Sequence, residues 1–264
     1  MNVFAFNAAA MTGLLCTLMR VSIVMFMLPV FSTNNLPVQV KAAASIVLSL
    51  ALWPHIGFSA MTVPTHPFAL ALMVLGEAVI GLTLSLCINF FFMGIQSGGE
   101  LLGFQMGFSM INFADPITGN QTGATAFFLW MTTMLTFLAL DGHLYMLRGF
   151  AGTFRLIPPG GLVLGEVTVR QVFSLSAGLF LLALQICAPV MAALFLVEVA
   201  LGMVSRTSPQ IQVMLISFPV KITVGFVFIG LLLGIMQMEV ARYAAGMEDF
   251  ISNLVRAMSP SFAK

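Results

Sequence analysis

Charged side chains are scarce in this chain, and that scarcity sets its class. Asp, Glu, Lys and Arg make up 7% of the 264 residues, while hydrophobic residues make up 60%. Soluble domains carry about 25% charged residues, so a water-soluble globule is excluded. The apolar runs are continuous, whereas a transmembrane β-barrel alternates apolar and polar residues. The composition predicts an all-α, polytopic, membrane-associated protein.

Cysteine, histidine and catalytic motifs are also sparse. The three cysteines, Cys16, Cys87 and Cys187, lie in apolar surroundings without CxxC or metal-ligand spacing. Asp141-Gly142-His143 has no nucleophile placed by a motif, and no nucleotide-binding or zinc-protease pattern occurs. The net charge is +1 and the basic residues are scattered, which excludes a nucleic-acid footprint. We therefore expect no metal, no cofactor and no enzymatic activity.

Long apolar stretches divide the chain, at about 3–31, 42–58, 68–96, 124–147, 172–204 and 211–238. About 20 residues span the hydrocarbon core of a bilayer, so the second stretch is short and the fifth is long for a simple span. Pro189 and Pro219 lie inside the last two stretches, where proline removes a helix hydrogen bond. These features favour bent helices and helical hairpins over six plain spans.

Charged residues interrupt four of these stretches: Arg20, Glu77, Glu198 and Lys221. A charge at bilayer depth costs at least about 2.5–3.5 kcal/mol on insertion scales, so each charge needs a partner. Arg206 follows Glu198 at a spacing that puts both on one helix face. We predict that these five charges make subunit contacts in a larger assembly. In the alternative hypothesis, Glu77, Glu198 and Lys221 carry protons or bind a solute in a secondary transporter.

Residues 106–123 form a stretch that is apolar and aromatic at first and turn-forming later, with Asp115-Pro116 as a breaker. Irregular backbone at membrane depth is tolerated only inside protein or along a cavity. The stretch is therefore either a buried loop inside a channel or a loop on the membrane interface.

Glycines recur at helical spacing in the segment that leads into residues 106–123. They indicate either close helix packing or a helix end that bends beside a pore. These glycines are Gly94, Gly98, Gly99, Gly103 and Gly107.

An ordered set of residues across nearly the whole chain resembles the FliR/SctT family of flagellar and type III secretion export-gate proteins. In the C-terminal part the matching residues are Pro189, Glu198, Gly202, Arg206, Pro209, Gln210, Pro219, Lys221 and Gly225. In the N-terminal part they are Arg20, Pro29, Pro37, Lys41, Glu77, Gly81, the glycine-rich run 94–107, Asp141 and Gly142. Family members often have Asn where Gln212 stands.

The resemblance implies a FliP-like part at 1–170 fused to a FliQ-like helical hairpin at 171–264. It implies a structural and gating subunit of the flagellar type III export channel, which passes unfolded substrates across the bacterial inner membrane in the basal body. Its partners would be FliP-like and FliQ-like subunits, together with FlhB-like and FlhA-like ones. Residues 106–123 match the family's plug loop. We predict that the plug consists chiefly of Met106, Gly107, Phe108, Met110, Ile111, Phe113, Asp115 and Pro116.

Overall fold

The structure, a computed structural model, describes residues 8–31, 36–53, 66–108, 123–162, 165–207 and 213–259. The regular elements within these ranges are α-helices, and this confirms the all-α prediction. They are α1 (Ala8–Met27), α2 (Val38–Leu52), α3 (Pro67–Met106), α4 (Ala124–Ala139), α5 (Gly142–Leu156), α6 (Glu166–Thr207), α7 (Val213–Ala245) and α8 (Met247–Arg256).

Among the described residues, fewer helices could span a membrane than the sequence has apolar stretches. In the described part of the chain, α1, α3, α6 and α7 are long and apolar enough to cross a bilayer. Helices α4 and α5 add a fifth span if this pair, bent by 72°, counts as one. Helix α2 has 15 residues, fewer than the about 20 that a span needs. The structure thus agrees with the rejection of six plain spans.

The apolar stretch 124–147 is divided, contrary to the expectation of one run. Helix α4 ends at Ala139, and α5 begins at Gly142. Between them Asp141 has a positive φ of 56°, the left-handed conformation that Asp tolerates better than most residues. The N–H of Leu144 donates to the Asp141 carbonyl at 2.8 Å and starts the new helix. The Asp-Gly pair therefore turns the chain within an apolar run.

Helix α3 extends further than the apolar pattern predicted. Residues 97–123 were expected to form a gap, but the helix continues through the glycine-rich segment to Met106. Glycine is needed there because other helices approach closely: a methyl group built at Gly99 would lie 2.6 Å from the Ala126 Cα atom. At Gly98 it would lie 3.2 Å from the Ala183 carbonyl oxygen. The close-packing interpretation of the glycine spacing is confirmed at these positions.

The chain divides into two compact units. Unit 1 comprises residues 1–89, 141–176 and 244–264, and unit 2 comprises 90–140 and 177–243. The chain passes from one unit to the other within α3, α6 and α7. These are units of packing, and the predicted division into a FliP-like part and a FliQ-like part at residue 170 stays a prediction.

In unit 1, α5 packs against α8, a helix that the apolar stretches did not include. A methyl group at Gly149 would meet the Ile251 Cδ1 atom at 2.8 Å, so the two helices are in close contact. Along α8 the buried side chains are those of Met247, Ile251, Leu254 and Val255. This spacing is typical of an amphipathic helix with one apolar face, and it is the pattern in the sequence by which α8 could have been predicted.

The core of unit 2 is formed by buried side chains from α3, α4, α6 and α7. Its members are Ile95, Leu102, Met106, Leu129, Ile186, Cys187, Val190, Leu194, Ile229, Leu232 and Met236. Met106, the last residue of α3, is fully buried in this core. The C-terminal end of α3 is therefore fixed by packing.

Candidate functional site

Arg20 of α1 and Glu77 of α3 form an ion pair inside unit 1. The Arg20 Nε donates to the Glu77 Oε2 at 2.6 Å, and both side chains are 0% exposed. The guanidinium also donates through Nη1 and Nη2 to the Ile157 carbonyl, at 3.2 Å in each case. Nη1 lies 3.4 Å from the Thr153 hydroxyl, which it reaches as a donor. The polar edge of the guanidinium is thus occupied by groups of the same chain.

The remaining surfaces of the pair are also covered. The second carboxylate oxygen of Glu77 accepts a 2.8 Å hydrogen bond from the Gly160 N–H. The Arg20 guanidinium carbon lies 4.3 Å from the centre of the Phe154 ring, a cation–π distance. We call this set the Arg20 cluster: Arg20, Glu77, Thr153, Phe154, Ile157 and Gly160.

The Arg20 cluster bears on the prediction of subunit contacts. The need for a partner is met within the chain, because Arg20 and Glu77 hold each other. A partner subunit would reach either side chain only if α1 and α3 separated. The other members of the cluster come from α5 and the segment that follows it. Sequence reasoning missed them because they lie more than 130 positions from Arg20.

Glu198 of α6 and Lys221 of α7 form the second ion pair, within unit 2. The Lys221 Nζ donates to the Glu198 Oε1. The Lys221 side chain is 15% exposed, whereas that of Glu198 is 57% exposed. The pair borders a depression of about 390 Å³ that Gly202, Ser205 and Phe218 also line. Unlike the Arg20 cluster, this pair leaves part of its acidic member open at the surface of the chain.

Arg206 does not join the second pair. Its side chain is exposed in the last turn of α6, where a basic residue interacts favourably with the helix dipole.

Glu100 of α3 is a further charged residue, and the sequence analysis did not consider it because it lies in the segment expected to form a gap. It is exposed on α3 and makes no ion pair among the described residues. Unit 2 therefore presents several incompletely covered charges.

The segment that we predict to be the plug begins at a defined helix end. The Gly107 N–H donates to the Phe104 carbonyl at 3.1 Å, and the Phe108 N–H donates to the Gly103 carbonyl at 3.0 Å. Gly107 has a φ of +89°. This is a Schellman motif, in which a left-handed residue ends the helix and satisfies its last carbonyls. Gly107 therefore stops α3 and fixes the direction in which the chain leaves it.

The first residues of the predicted plug are anchored on the core of unit 2. Phe108 packs against that core, and its ring lies 6.3 Å from the ring of Phe226, edge to face. A methyl group at Gly107 would come within 2.7 Å of the Phe218 ring. The other predicted plug residues, Met110, Ile111, Phe113, Asp115 and Pro116, lie outside the described residues. The structure therefore describes the end of α3 and Phe108, and the plug itself stays a prediction.

These features define a polytopic helical membrane protein that pairs charges within its apolar helices. In the ranges that the structure describes, no group of three or more His, Cys, Asp or Glu side chains could hold a metal ion. Residues 11–247 match the model of the family described as "Bacterial export proteins, family 1".

Curated relatives give the particular family. The "Flagellar biosynthetic protein FliR" of Bacillus subtilis strain 168 is 31% identical over 81% of this chain and 83% of its own length. The FliR of Escherichia coli K12 is 29% identical over 79% of each chain, and that of Pectobacterium carotovorum is 28% identical over 88% of each. The chain belongs to the FliR family, which confirms the resemblance seen in the sequence. It is an inner-membrane component of the flagellar export apparatus.

Proposed function

We propose that this chain is a structural and gating subunit of the flagellar type III export channel, through which unfolded substrates cross the inner membrane. The observation that carries the proposal is the anchored end of α3. Gly107 ends the helix in a left-handed conformation, and Phe108 packs on the core of unit 2. A plug needs a base that stays in place while the segment beyond it moves.

The residues that follow the anchor have the chemistry of a dry seal. Met110, Ile111 and Phe113 supply apolar bulk that excludes water and ions, and no Lys or Arg occurs between 97 and 123. The segment thus lacks the basic side chains that hold loops to anionic headgroups. Asp115-Pro116 favours a turn. The proposed seal opens when an exported polypeptide displaces it from the pore.

A loop replacement tests the seal. Residues 110–116 are replaced by glycine and serine at equal length, so that Gly107 and Phe108 keep their contacts. We expect the complex to assemble and to conduct ions or admit small solutes, measured as conductance in planar bilayers or as solute entry into cells. A second variant that keeps the apolar residues and replaces only Asp115 and Pro116 serves as the control for sealing. If the glycine–serine complex assembles and stays as tight as the parent, the loop lies on the interface and is no plug.

The proposed partners are FliP-like and FliQ-like subunits, with FlhB-like and FlhA-like subunits at the edge of the assembly. Support comes from the surface of the hairpin formed by α6 and α7. Only 17% of the apolar part of α7 is buried within the chain, compared with 39% for α3. Half-exposed Glu198 lies on the same hairpin. An acidic group on an apolar span favours a protein neighbour over lipid.

Recovery of the assembly tests these contacts. Glu198→Ala and Lys221→Ala should each lower the amount of partner subunits that co-purify with the tagged chain. Each change leaves one charge of the pair without its partner. Glu166→Ala is the matched control, because its pair with Arg170 is exposed on both sides and is worth at most about 1 kcal/mol. Normal recovery and normal export in both hairpin variants would remove these charges from the interface.

The secondary-transporter hypothesis is separated from the channel by the behaviour of the isolated chain. As a channel subunit, the chain should accumulate several-fold better when FliP-like and FliQ-like partners are co-expressed. A long-lived monomer in mild detergent, with a proton flux that depends on Glu198, would instead favour a transporter. The fully compensated Arg20 cluster offers no vacant charge for solute binding.

A further inference from the structure

A cavity of about 730 Å³ lies between α1, α2 and α5 in unit 1. Much of its wall is apolar, with Val24 from α1, Leu48 and Leu52 from α2, and Phe150 from α5. Its volume falls within the roughly 300–1,000 Å³ of small-molecule sites. The export function proposed above gives this cavity no role.

Two arginines stand at the edge of this apolar space. Arg148 and Arg155 both line the cavity and are both exposed. They lie about two helical turns apart and therefore on the same side of α5. Neither forms an ion pair within the described residues, and the lining includes no Asp or Glu. The cavity thus combines an apolar interior with a cationic rim.

Helix α5 has the side chains expected at a membrane interface. It is far less apolar than the preceding helix α4. Tyr145 stands one turn before Arg148, whose guanidinium carbon lies 6.0 Å from the Tyr145 ring centre. Tyrosine and arginine are both common at the level of lipid headgroups.

We propose that this cavity binds an anionic phospholipid. One acyl chain would occupy the apolar space between α1, α2 and α5, and the phosphate would lie against Arg148 and Arg155. A guanidinium offers paired N–H donors that match phosphate oxygens. Basic pockets between membrane helices are a known class of site for anionic headgroups. Together the apolar wall and the cationic rim favour a lipid over a soluble anion or an apolar ligand.

Gly152 provides a way to fill the cavity without disturbing the helices. It lines the cavity, and a methyl group built on it would meet no atom within 4 Å. Gly152→Leu should therefore block the acyl chain while it raises the helix propensity of α5. Gly178→Leu is the matched control, since Gly178 is also helical and open but lies in α6, away from the cavity.

The test uses the full chain, purified in detergent together with the subunits that co-purify with it. Palmitoyl-oleoyl phosphatidylglycerol and palmitoyl-oleoyl phosphatidylcholine are titrated separately, and bound lipid is read by native mass spectrometry. We expect phosphatidylglycerol to bind preferentially. Arg148→Gln with Arg155→Gln should weaken its binding by about thirtyfold, or roughly fivefold per arginine. Arg206→Gln with Arg256→Gln, which changes two exposed arginines outside the cavity, serves as the control for the same change in net charge.

Each arm can overturn the proposal. Equal binding of the two lipids, or unchanged binding in the double arginine variant, would show that the rim does not recognise the headgroup. Unchanged phosphatidylglycerol binding in Gly152→Leu would show that no acyl chain enters the cavity. Displacement of the lipid by an equal concentration of inorganic phosphate would assign the rim to a soluble anion instead. Cross-linking of a photoreactive group at Leu52 to a partner subunit, with no lipid captured, would assign the cavity to that subunit.

Discussion

Removal of Arg20 tests whether the buried ion pair belongs to the fold or to an interface. Arg20→Met keeps most of the side-chain length and apolar contact but removes the positive charge. Glu77 would then remain in a fully enclosed position with only the Gly160 N–H as a hydrogen-bond partner. The Ile157 carbonyl would lose both donors that now reach it at 3.2 Å. The variant leaves an uncompensated charge and an unsatisfied carbonyl in the same place.

The expected loss follows from that environment. Breaking a buried ion pair by removing one partner costs about 3–5 kcal/mol, because the remaining charge stays buried. A chain of this size loses about 2–4 °C of unfolding temperature per kcal/mol, so we expect a drop of roughly 6–20 °C. The double variant Arg20→Met with Glu77→Gln should lose much less than the sum of the two single variants, because neither charge remains.

The assay is thermal unfolding of the purified complex in detergent. The folded fraction is followed by size-exclusion chromatography after heating, for the parent, both single variants and the double variant. Arg170→Met is the control, because its ion pair with Glu166 is exposed on both sides. Exposed pairs contribute about 0–1 kcal/mol, so this variant should unfold within a few degrees of the parent.

Additive losses in the double variant would refute the reasoning, because independent effects mean that the two charges do not compensate each other. Single variants that unfold like the parent would refute it as well. A third pattern, in which the isolated chain tolerates Arg20→Met but the complex fails to assemble, would support the subunit contact predicted for Arg20 and Glu77.

Three further changes test individual parts of the fold by thermal unfolding. Gly107→Ala should destabilise by at least about 1 kcal/mol, because its φ of +89° is unfavourable for alanine; an unchanged unfolding temperature would rule out the Schellman end of α3. Gly99→Leu should cost about 1–3 kcal/mol by overpacking against Ala126, and a neutral result would deny the close contact of α3 and α4. Asp141→Gly should be nearly neutral and Asp141→Val clearly destabilising, because a β-branched residue fits the left-handed conformation poorly; equal effects would contradict the bend.

Much of the helical content could be predicted from apolar stretches, but helix ends could not. Residues 97–106 were expected to belong to a glycine-rich gap between two apolar stretches. Their positions along α3 instead allow α4 and α6 to approach, so that packing overrides propensity. At Pro189 a kink or a break was expected. Helix α6 continues from Glu166 to Thr207, which excludes a break at Pro189, and a kink there stays a prediction. The close approach of α4 and α6 could not be predicted without knowing which helices neighbour α3.

The sequence identified the charged residues within apolar stretches, but it did not predict which groups surround each of them. Arg20 and Glu77 each have a partner of opposite charge, as the cost of inserting a charge into an apolar environment requires. Which partner each would find depends on tertiary contacts between positions 57 residues apart. The contribution of Phe154 depends on how α5 packs against α1, and that of Gly160 depends on the chain path after α5, for which no local pattern exists. The sequence shows that these buried charges need partners, and the fold shows which groups pair with them.

The two ion pairs differ in how exposed their side chains are, and this difference indicates different roles, although the sequence analysis predicted subunit contacts for both pairs. Arg20 and Glu77 are fully enclosed and hydrogen-bonded to each other and to groups of the same chain, so we expect them to contribute mainly to the stability of unit 1. Glu198 is paired with Lys221 but remains 57% exposed on a hairpin whose apolar surface is largely uncovered. A half-open carboxylate in that setting retains hydrogen-bonding capacity for a neighbouring chain. We therefore expect assembly of the export apparatus to depend on the Glu198–Lys221 pair, and the stability of the subunit itself to depend on Arg20 and Glu77.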